Sequence, residues 1–184
     1  MQADAVDRIV EQWQRERPEL DASTMGVFGR LVRASKLAEA DQERLFARFG
    51  LSGSEFDLLF TLRRTGPPYR LNPTALRRAA MVTSGGMTKR LDRLETLGLI
   101  RRLPDPADRR GVLVELLPAA RRLADEVVEA HLENQQTLLA TLSPPEQARV
   151  VAGLRLLLRA LEQTEPAEPP APATRRGRRT SRSA

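Results

Sequence analysis

The chain has 184 residues, 41% hydrophobic but only 4% aromatic, and a net charge of +6. This length predicts one domain with appendages, and a core of Leu, Val and Ala favours packed helices. The sequence contains no cysteine, which excludes disulfides, thiolate metal sites and a thiol redox switch. No apolar run approaches the ~18 residues of a membrane span, and the N-terminus lacks a signal-peptide pattern. We therefore expect a cytoplasmic protein with no membrane partner.

Three helices are predicted before residue 65. A helical period of apolar residues predicts a first helix that ends near Arg17. A long second helix is expected over residues 23–49, stopped by Gly50, and Ser52 with Glu55 forms the pattern of a capping box that opens a third. The apolar face of the first helix is Val6, Ile9, Val10 and Trp13. Trp13, the single tryptophan, is either a packing anchor or a ligand contact.

Residues 72–117 predict a helix, a turn, a second helix and a hairpin. Asn72 and Pro73 suit the N-cap and first position of a short helix. Thr83 or Ser84 is expected to cap the second helix, and Gly98 to end it. Two β-prone runs, Leu99–Leu103 and Val112–Leu117, flank a loop rich in Pro, Asp and Gly and so predict a hairpin. The buried stripe of the second helix is expected to be Met87, Leu91 and Leu94. This order is that of a winged helix-turn-helix, whose second helix enters the major groove of DNA.

Positive charge is concentrated on this segment. Residues 63–110 carry 12 Lys or Arg and four Asp or Glu, a net charge of +8, whereas residues 1–62 sum to −3 and residues 111–163 to −2. A local basic block favours phosphate binding through release of counterions. The alternative is an ordinary solvated basic face.

The C-terminal part predicts two more helices. Pro118 opens one that runs to about Leu142, and Ser143, Pro144 and Glu146 form a helix start. The apolar stripes of the terminal helices exceed what a small winged module covers, so a symmetric dimer is expected; a closed helical cap on one chain is the alternative. From residue 164 the chain is rich in Pro, Ala and then Arg, which predicts disorder. Its five arginines either add nonspecific DNA affinity or serve solubility.

We therefore expect a mainly α protein with a small β-hairpin wing, a winged helix-turn-helix whose N- and C-terminal helices form a dimerisation domain. The expected divisions are residues 1–50 for N-terminal dimerisation and scaffold helices, 51–117 for the DNA-binding domain, 118–163 for C-terminal dimerisation helices, and 164–184 for the tail.

The chain resembles the MarR family of bacterial transcriptional regulators over about residues 5–163. The resemblance rests on the segment Thr83–Thr88, on Arg90–Glu95 and on the wing Asp105–Gly111. With Trp13–Asp21 (WQRERPELD), the chain looks like the urate-responsive, PecS-like branch of that family. The resemblance implies a homodimer that binds a palindromic operator, represses transcription and is released by a small anionic ligand.

Four residues match those that this branch associates with urate: Trp13, Asp57, Arg64 and Arg90. Asp57 and Arg64 are seven residues apart, roughly 10.5 Å along one helical face, which suits groups that flank a small anion. We expect this face to be different from the one that carries Phe56, Leu59 and Phe60. An anion held by Arg64 and Arg90 while crowding Asp57 would pull on the second helix. The alternative is that Asp57 and Arg64 are plain surface charges and that Arg90 contacts phosphate.

The expected DNA contacts lie at the start of the second helix and on the wing. Gly85 and Gly86 allow close approach of the backbone to DNA, or are merely loose helix residues. Arg93 is expected to contact phosphate, the wing arginines to reach the minor groove, and Asp108 to orient a neighbouring arginine. Half-sites about one turn apart are expected. The predicted contacts are Ser84, Gly85, Gly86, Thr88, Lys89, Arg93, Arg109 and Arg110.

Two rival classes remain. An enzyme is disfavoured, because the single histidine, His131, sits on an apolar helix side and no nucleophile elbow, phosphate loop or metal spacing is present; we expect no cofactor and no metal. An architectural DNA-binding protein is favoured only by the basic tail. A MarR-type regulator that responds to another phenolic or metabolite ligand is also compatible with the sequence.

Overall fold

The computed structural model describes residues 3–80 and 86–164, which are mainly helical with one small antiparallel sheet. The chain divides into two compact units, Met1–Gln136 and Thr137–Ala184. The expected order of helices and hairpin is confirmed. The elements are α1 (Ala5–Glu16), α2 (Met25–Ala47), α3 (Gly53–Arg64), β1 (Arg70–Leu71), α4 (Pro73–Ala79), α5 (Met87–Thr96), β2 (Ile100–Asp105), β3 (Asp108–Leu116), α6 (Pro118–Leu139) and α7 (Pro144–Glu162).

Helix α1 is fixed to α2 by charge and by a close backbone approach. The Asp4 carboxylate caps α1 by accepting from the N–H groups of Val6 at 2.7 Å and Asp7 at 3.1 Å. Arg30 of α2 forms ion pairs with Asp4 at 2.9 Å and Asp7 at 2.6 Å. A Cβ atom at Gly29 would lie 2.8 Å from Val6 Cγ1, so a larger residue at this position would displace the Val6 side chain. Of the predicted apolar face of α1, Val6 is buried while Ile9 and Trp13 are exposed.

Helix α3 is the centre of the core of the first unit. Leu58, Leu59 and Leu62 are fully buried, and each such side chain stabilises the fold by about 1.5–3 kcal/mol. The predicted capping box opens the helix: Glu55 accepts from the Ser52 N–H at 2.9 Å. The core around α3 is formed by Leu45, Phe46, Leu51, Phe56, Leu76, Met87, Leu91, Leu94, Ile100, Val114, Leu116, Ala120 and Val127.

The sheet is larger than expected, and β3 is its middle strand. The hairpin strands reach Asp105 and Asp108, so most of the segment predicted as a loop lies within the strands, with a register irregularity between Pro104 and Asp105. The two-residue strand β1 pairs with the root of β3, Arg70 opposite Glu115 and Leu71 opposite Val114. Sequence reasoning missed β1, because two residues show no period.

A charge cluster fixes the root of the sheet. Glu115 is only 8% exposed and lies between Arg101 and Arg70, the latter at 2.7 Å. Hydrogen bonding from Arg101, and then from Arg70, holds the pKa of Glu115 below its ordinary value. The carboxylate in the middle strand thus joins both outer strands.

The C-terminal helices begin where the sequence predicted. Helix α6 begins at Pro118 and ends at Leu139, slightly before the expected Leu142. Helix α7 begins after Ser143, whose N–H and hydroxyl donate to Glu146 at 2.9 and 2.6 Å. None of the described α7 side chains is buried. No helix in the described part of the chain is both long and apolar enough to span a membrane.

Candidate DNA-reading and ligand site

Helix α5 has one buried face and one exposed face. Met87, Leu91 and Leu94 are buried, as predicted, and Thr88 and Lys89 are exposed. The opposed faces attach the helix to the core and leave its first turn open to a partner.

The start of α5 differs from the prediction. The helix begins at Met87 with Gly86 as its N-cap, and the expected cap by Thr83 or Ser84 is therefore wrong. Gly86 has φ 78°, a left-handed conformation that glycine adopts without strain. Serine and threonine are favoured N-caps, which is why the sequence points to Thr83 or Ser84. The left-handed backbone of Gly86 instead makes Met87 the first helical residue. Ser84 and Gly85, both predicted DNA contacts, lie outside the described residues.

The wing carries the two predicted arginines at its far end. Arg109 and Arg110 are exposed. The Asp108 carboxylate accepts from the backbone N–H of Arg110 at 3.0 Å, so it fixes the turn through the main chain. A Cβ at Gly111 would lie 2.9 Å from Asp105 Cβ, so the tight tip requires glycine there.

Arg102, which sequence reasoning did not single out, joins the wing to α5. Its guanidinium contacts Glu95 and Asp92, each at 2.6 Å, and its N–H donates to Glu95 at 2.8 Å. The i, i+3 spacing of the two acids on an exposed helix face was the available signal.

Arg93 faces the scaffold. It forms an ion pair with Glu55 and donates to the Gly50 carbonyl at 3.2 Å. The structure therefore gives this side chain partners other than the phosphate expected from the sequence.

A cavity of about 620 Å³ lies among α2, α3, α5 and α6. It brings together two of the four predicted ligand residues, Asp57 of α3 and Arg90 of α5. Aromatic rings form part of the wall: Phe46 stacks on Phe56 at 4.3 Å between centroids, and Phe56 on Phe60 at 5.5 Å. Assigning Asp57 to a face apart from Phe56 and Phe60 was therefore wrong, because adjacent helix positions share this wall.

His131 completes the aromatic wall of the cavity. Its ring lies 5.3 Å from that of Phe46 and 5.7 Å from that of Phe56, so His131 packs on the apolar side of its helix, where the sequence places it. Burial lowers the pKa of His131. One ring nitrogen, Nε2, is 3.0 Å from Gln135 Nε2, while the buried Nδ1 has no hydrogen-bond partner among the described residues.

The other two predicted ligand residues lie elsewhere. Arg64 donates to the Ala79 carbonyl and, at 3.3 Å, to the Thr61 hydroxyl. Trp13 is 44% exposed on α1. Neither is among the described residues that line the cavity. The described residues also contain no cluster of His, Cys, Asp or Glu fit to hold a metal ion.

A helix-turn-helix with a hairpin wing and an exposed basic surface defines the class of DNA-binding transcriptional regulators. The MarR family model matches residues 49–111. The chain is 41% identical to the HTH-type transcriptional regulator PecS of Dickeya dadantii over 158 residues, which cover 86% of this chain and 93% of PecS. The chain belongs to the MarR family, as its sequence predicted, and it is a DNA-binding transcriptional regulator and not an enzyme.

Solved structures show the same fold. Sco3205, a MarR family regulator from Streptomyces coelicolor in complex with DNA, matches with a TM-score of 0.69 at 24% identity, over 80% of this chain and 91% of that one. BpsR of Bordetella bronchiseptica matches with a TM-score of 0.64 at 27% identity, over 76% of this chain and 94% of that one. The DNA binding of BpsR is regulated by 6-hydroxynicotinic acid.

Proposed function

We propose that the protein is a homodimeric regulator, acting as a repressor, that binds a palindromic operator and is released by a small anionic ligand such as urate. One observation carries the ligand part of the proposal. Asp57 of the scaffold and Arg90 of the DNA-reading helix line the same aromatic-walled cavity. A ligand in that cavity contacts both the scaffold and the helix that reads DNA.

Exposed apolar side chains support the homodimer. In the first unit, α1 and α2 expose Ile9, Val27, Phe28 and Leu37, and in the second unit α7 exposes a stripe of its own. Exposed apolar side chains in such number are typical of an interface, and a two-fold dimer is the usual solution. The α7 stripe consists of Val150, Val151, Leu154, Leu158 and Leu161. The proposed division of labour is that residues 1–50 and 118–163 dimerise while residues 51–117 read DNA.

The proposed DNA contacts start at the N-terminal turn of α5. Thr88 and Lys89 are exposed there, and Ser84, Gly85 and Gly86 precede them in the chain. Arg109 and Arg110 are proposed to reach the minor groove from the wing tip. Two such modules on a two-fold axis favour half-sites about one helical turn apart.

Release is proposed to begin at Arg90. A flat anion bound to this guanidinium crowds the Asp57 carboxylate, and the repulsion displaces α5 from its DNA-reading position. Arg64 and Trp13 are proposed to close the site as the ligand binds. The stacked rings of Phe56 and Phe60 favour a planar ligand, because aromatic faces prefer offset stacking.

The test is footprinting on DNA upstream of the protein's own gene, titrated with urate. We expect one protected palindrome in the absence of urate and loss of that protection as urate rises. Arg90→Ala is expected to retain the footprint and lose the urate response, whereas Arg122→Ala, at an exposed position of α6, keeps both. Release of Arg90→Ala by urate would contradict the mechanism.

A different aromatic acid is the second candidate ligand. The similarity to BpsR favours a nicotinate-like acid, since 6-hydroxynicotinic acid is also a planar heteroaromatic anion. If 6-hydroxynicotinic acid releases the protein from DNA while saturating urate does not, the acid and not urate is the ligand. Diffuse protection without a palindrome would instead indicate an architectural DNA-binding protein.

A further inference from the structure

Arg93 connects the DNA-reading helix to the corner between α2 and α3. Its Nη1 forms an ion pair with Glu55 at the start of α3, and its Nη2 donates to the carbonyl of Gly50 just after α2, at 3.2 Å. The side chain of Glu55 is only 5% exposed, whereas that of Arg93 is 51% exposed. One arginine thus reaches both sides of the corner.

The Glu55 carboxylate is also held in place by Ser52, independently of Arg93. Glu55 Oε2 accepts from both the N–H and the hydroxyl of Ser52, each at 2.9 Å. Burial alone would raise the pKa of Glu55, but the bonds from Arg93 and Ser52 lower it, so the carboxylate stays ionised. Moving α5 away from the corner would leave a buried negative charge without its cation, which is strongly unfavourable.

The pair also lies next to the cavity. Asp57 follows Glu55 by two residues on α3, and Arg90 precedes Arg93 by about one turn on α5. Helix α5 therefore meets α3 at a fixed ion pair and, beside it, at the wall of the cavity. A shift of α5 away from α3 at the cavity must either break this pair or rotate α5 about it.

We propose that Arg93 is a positioning residue for DNA recognition: through its ion pair with Glu55 it sets the orientation of the DNA-reading helix and does not bind phosphate. The proposal goes beyond the ligand site and needs only that the protein binds a specific DNA site.

The variant Glu55→Gln distinguishes a positioning role of Arg93 from phosphate binding, because the two roles predict different changes in DNA affinity. If Arg93 binds phosphate, removing a nearby negative charge strengthens DNA binding or leaves it unchanged. If Arg93 positions α5, Glu55→Gln weakens binding to the footprinted operator by about tenfold, equivalent to ~1.4 kcal/mol. Gln keeps the length of Glu and can still cap α3, so the fold is retained. Asp125→Asn, which breaks the Arg63–Asp125 pair on α3 and α6, is the matched control and is expected to leave affinity unchanged.

The variant Arg93→Gln completes a double-mutant cycle. We expect it to weaken binding about as much as Glu55→Gln, and the double variant to weaken it no further, because the two residues act as one pair. The slope of log affinity against log salt is expected to stay at the wild-type value in Arg93→Gln and to fall by about one in Lys89→Gln. Additive losses, or a reduced slope in Arg93→Gln, would assign Arg93 to phosphate and overturn the proposal.

Hydrogen exchange of the free protein provides a readout that needs no DNA. Both single variants are expected to exchange faster at the amides of α5 than the wild type, with α6 unchanged. If the amides of α5 exchange at the wild-type rate in both variants, the proposal is wrong, even if the wild type binds its operator. A wild type that recognises no operator would refute the proposed function while the exchange result still tests the pair.

Discussion

At the scale of single residues, His131 is the group whose protonation most directly involves the cavity. It is the only histidine of the chain, and its ring packs against Phe46 and Phe56. Burial lowers its pKa from the ordinary value of 6.5. The unfolded chain therefore binds a proton near pH 6.5, while the folded chain remains neutral until a lower pH.

We predict that the free energy of unfolding falls as pH drops from about 6.5 to the depressed pKa of His131, and that it is independent of this group above 6.5. His131→Phe keeps an aromatic ring and removes the titration, so its stability is expected to be flat between pH 5.5 and 7.5. Urea unfolding at fixed protein concentration measures both profiles. Parallel profiles for wild type and variant would show that His131 does not contribute.

The positions of side chains were predictable where they depend on neighbouring residues in the sequence. Arg90 immediately precedes the buried Leu91 in the sequence, and it lies on the cavity wall together with Asp57 of α3. The sequence predicts a phosphate contact for Arg93, because basic residues of a DNA-reading helix usually contact phosphate. Its partner, Glu55, lies far away in the sequence, and no local pattern indicates that pairing. Long-range ion pairs are fixed only when the core brings two helices together.

At the scale of elements, α5 depends on its buried stripe. Leu94 is fully buried, whereas Leu97, just beyond the last helical residue, is 50% exposed. The two leucines have the same volume and differ in how much of each the core encloses.

We predict that Leu94→Ala lowers the free energy of unfolding by about 2–5 kcal/mol, because it removes transfer energy and leaves a cavity. Leu97→Ala is the control and is expected to change stability by less than about 0.5 kcal/mol. Urea denaturation measures both. Comparable losses would mean that the α5 stripe does not belong to the core.

Elements were predictable where caps and periods are strong. Ser52, Asn72 and Ser143 each precede a helix that begins as expected. Gly98 ends α5 as expected with φ 67°, and its N–H bonds the Glu95 carbonyl at 2.9 Å. The wing strands were predicted too short, because Pro, Asp and Gly indicate a loop even where cross-strand pairing extends the ladder.

At the scale of the whole molecule, the exposed apolar stripe of α7 makes assembly testable. Leu154 is 45% exposed in the single chain, and a second copy would cover it in the proposed dimer. A charge at such a position is costly to bury without a partner.

We predict that Leu154→Asp elutes as a monomer in light-scattering chromatography and loses operator affinity by at least about tenfold, or ~1.4 kcal/mol, because one module covers only one half-site. The control is Leu97→Asp, at a leucine of similar exposure outside the proposed interface, and this variant is expected to remain a dimer. A dimeric Leu154→Asp would place the interface elsewhere.

The pairing of β1 with the root of the wing has a mechanical consequence. Arg70 and Leu71 pair with Glu115 and Val114, so the base of the hairpin is clamped in three strands, while the end that carries Arg109 and Arg110 extends as two. Bending stiffness therefore falls from base to tip. If Arg109 and Arg110 contact DNA as proposed, they can follow grooves of unequal width at little elastic cost. Operators that differ in the sequence flanking the proposed α5 contacts are then expected to be tolerated more readily than those that differ beneath α5.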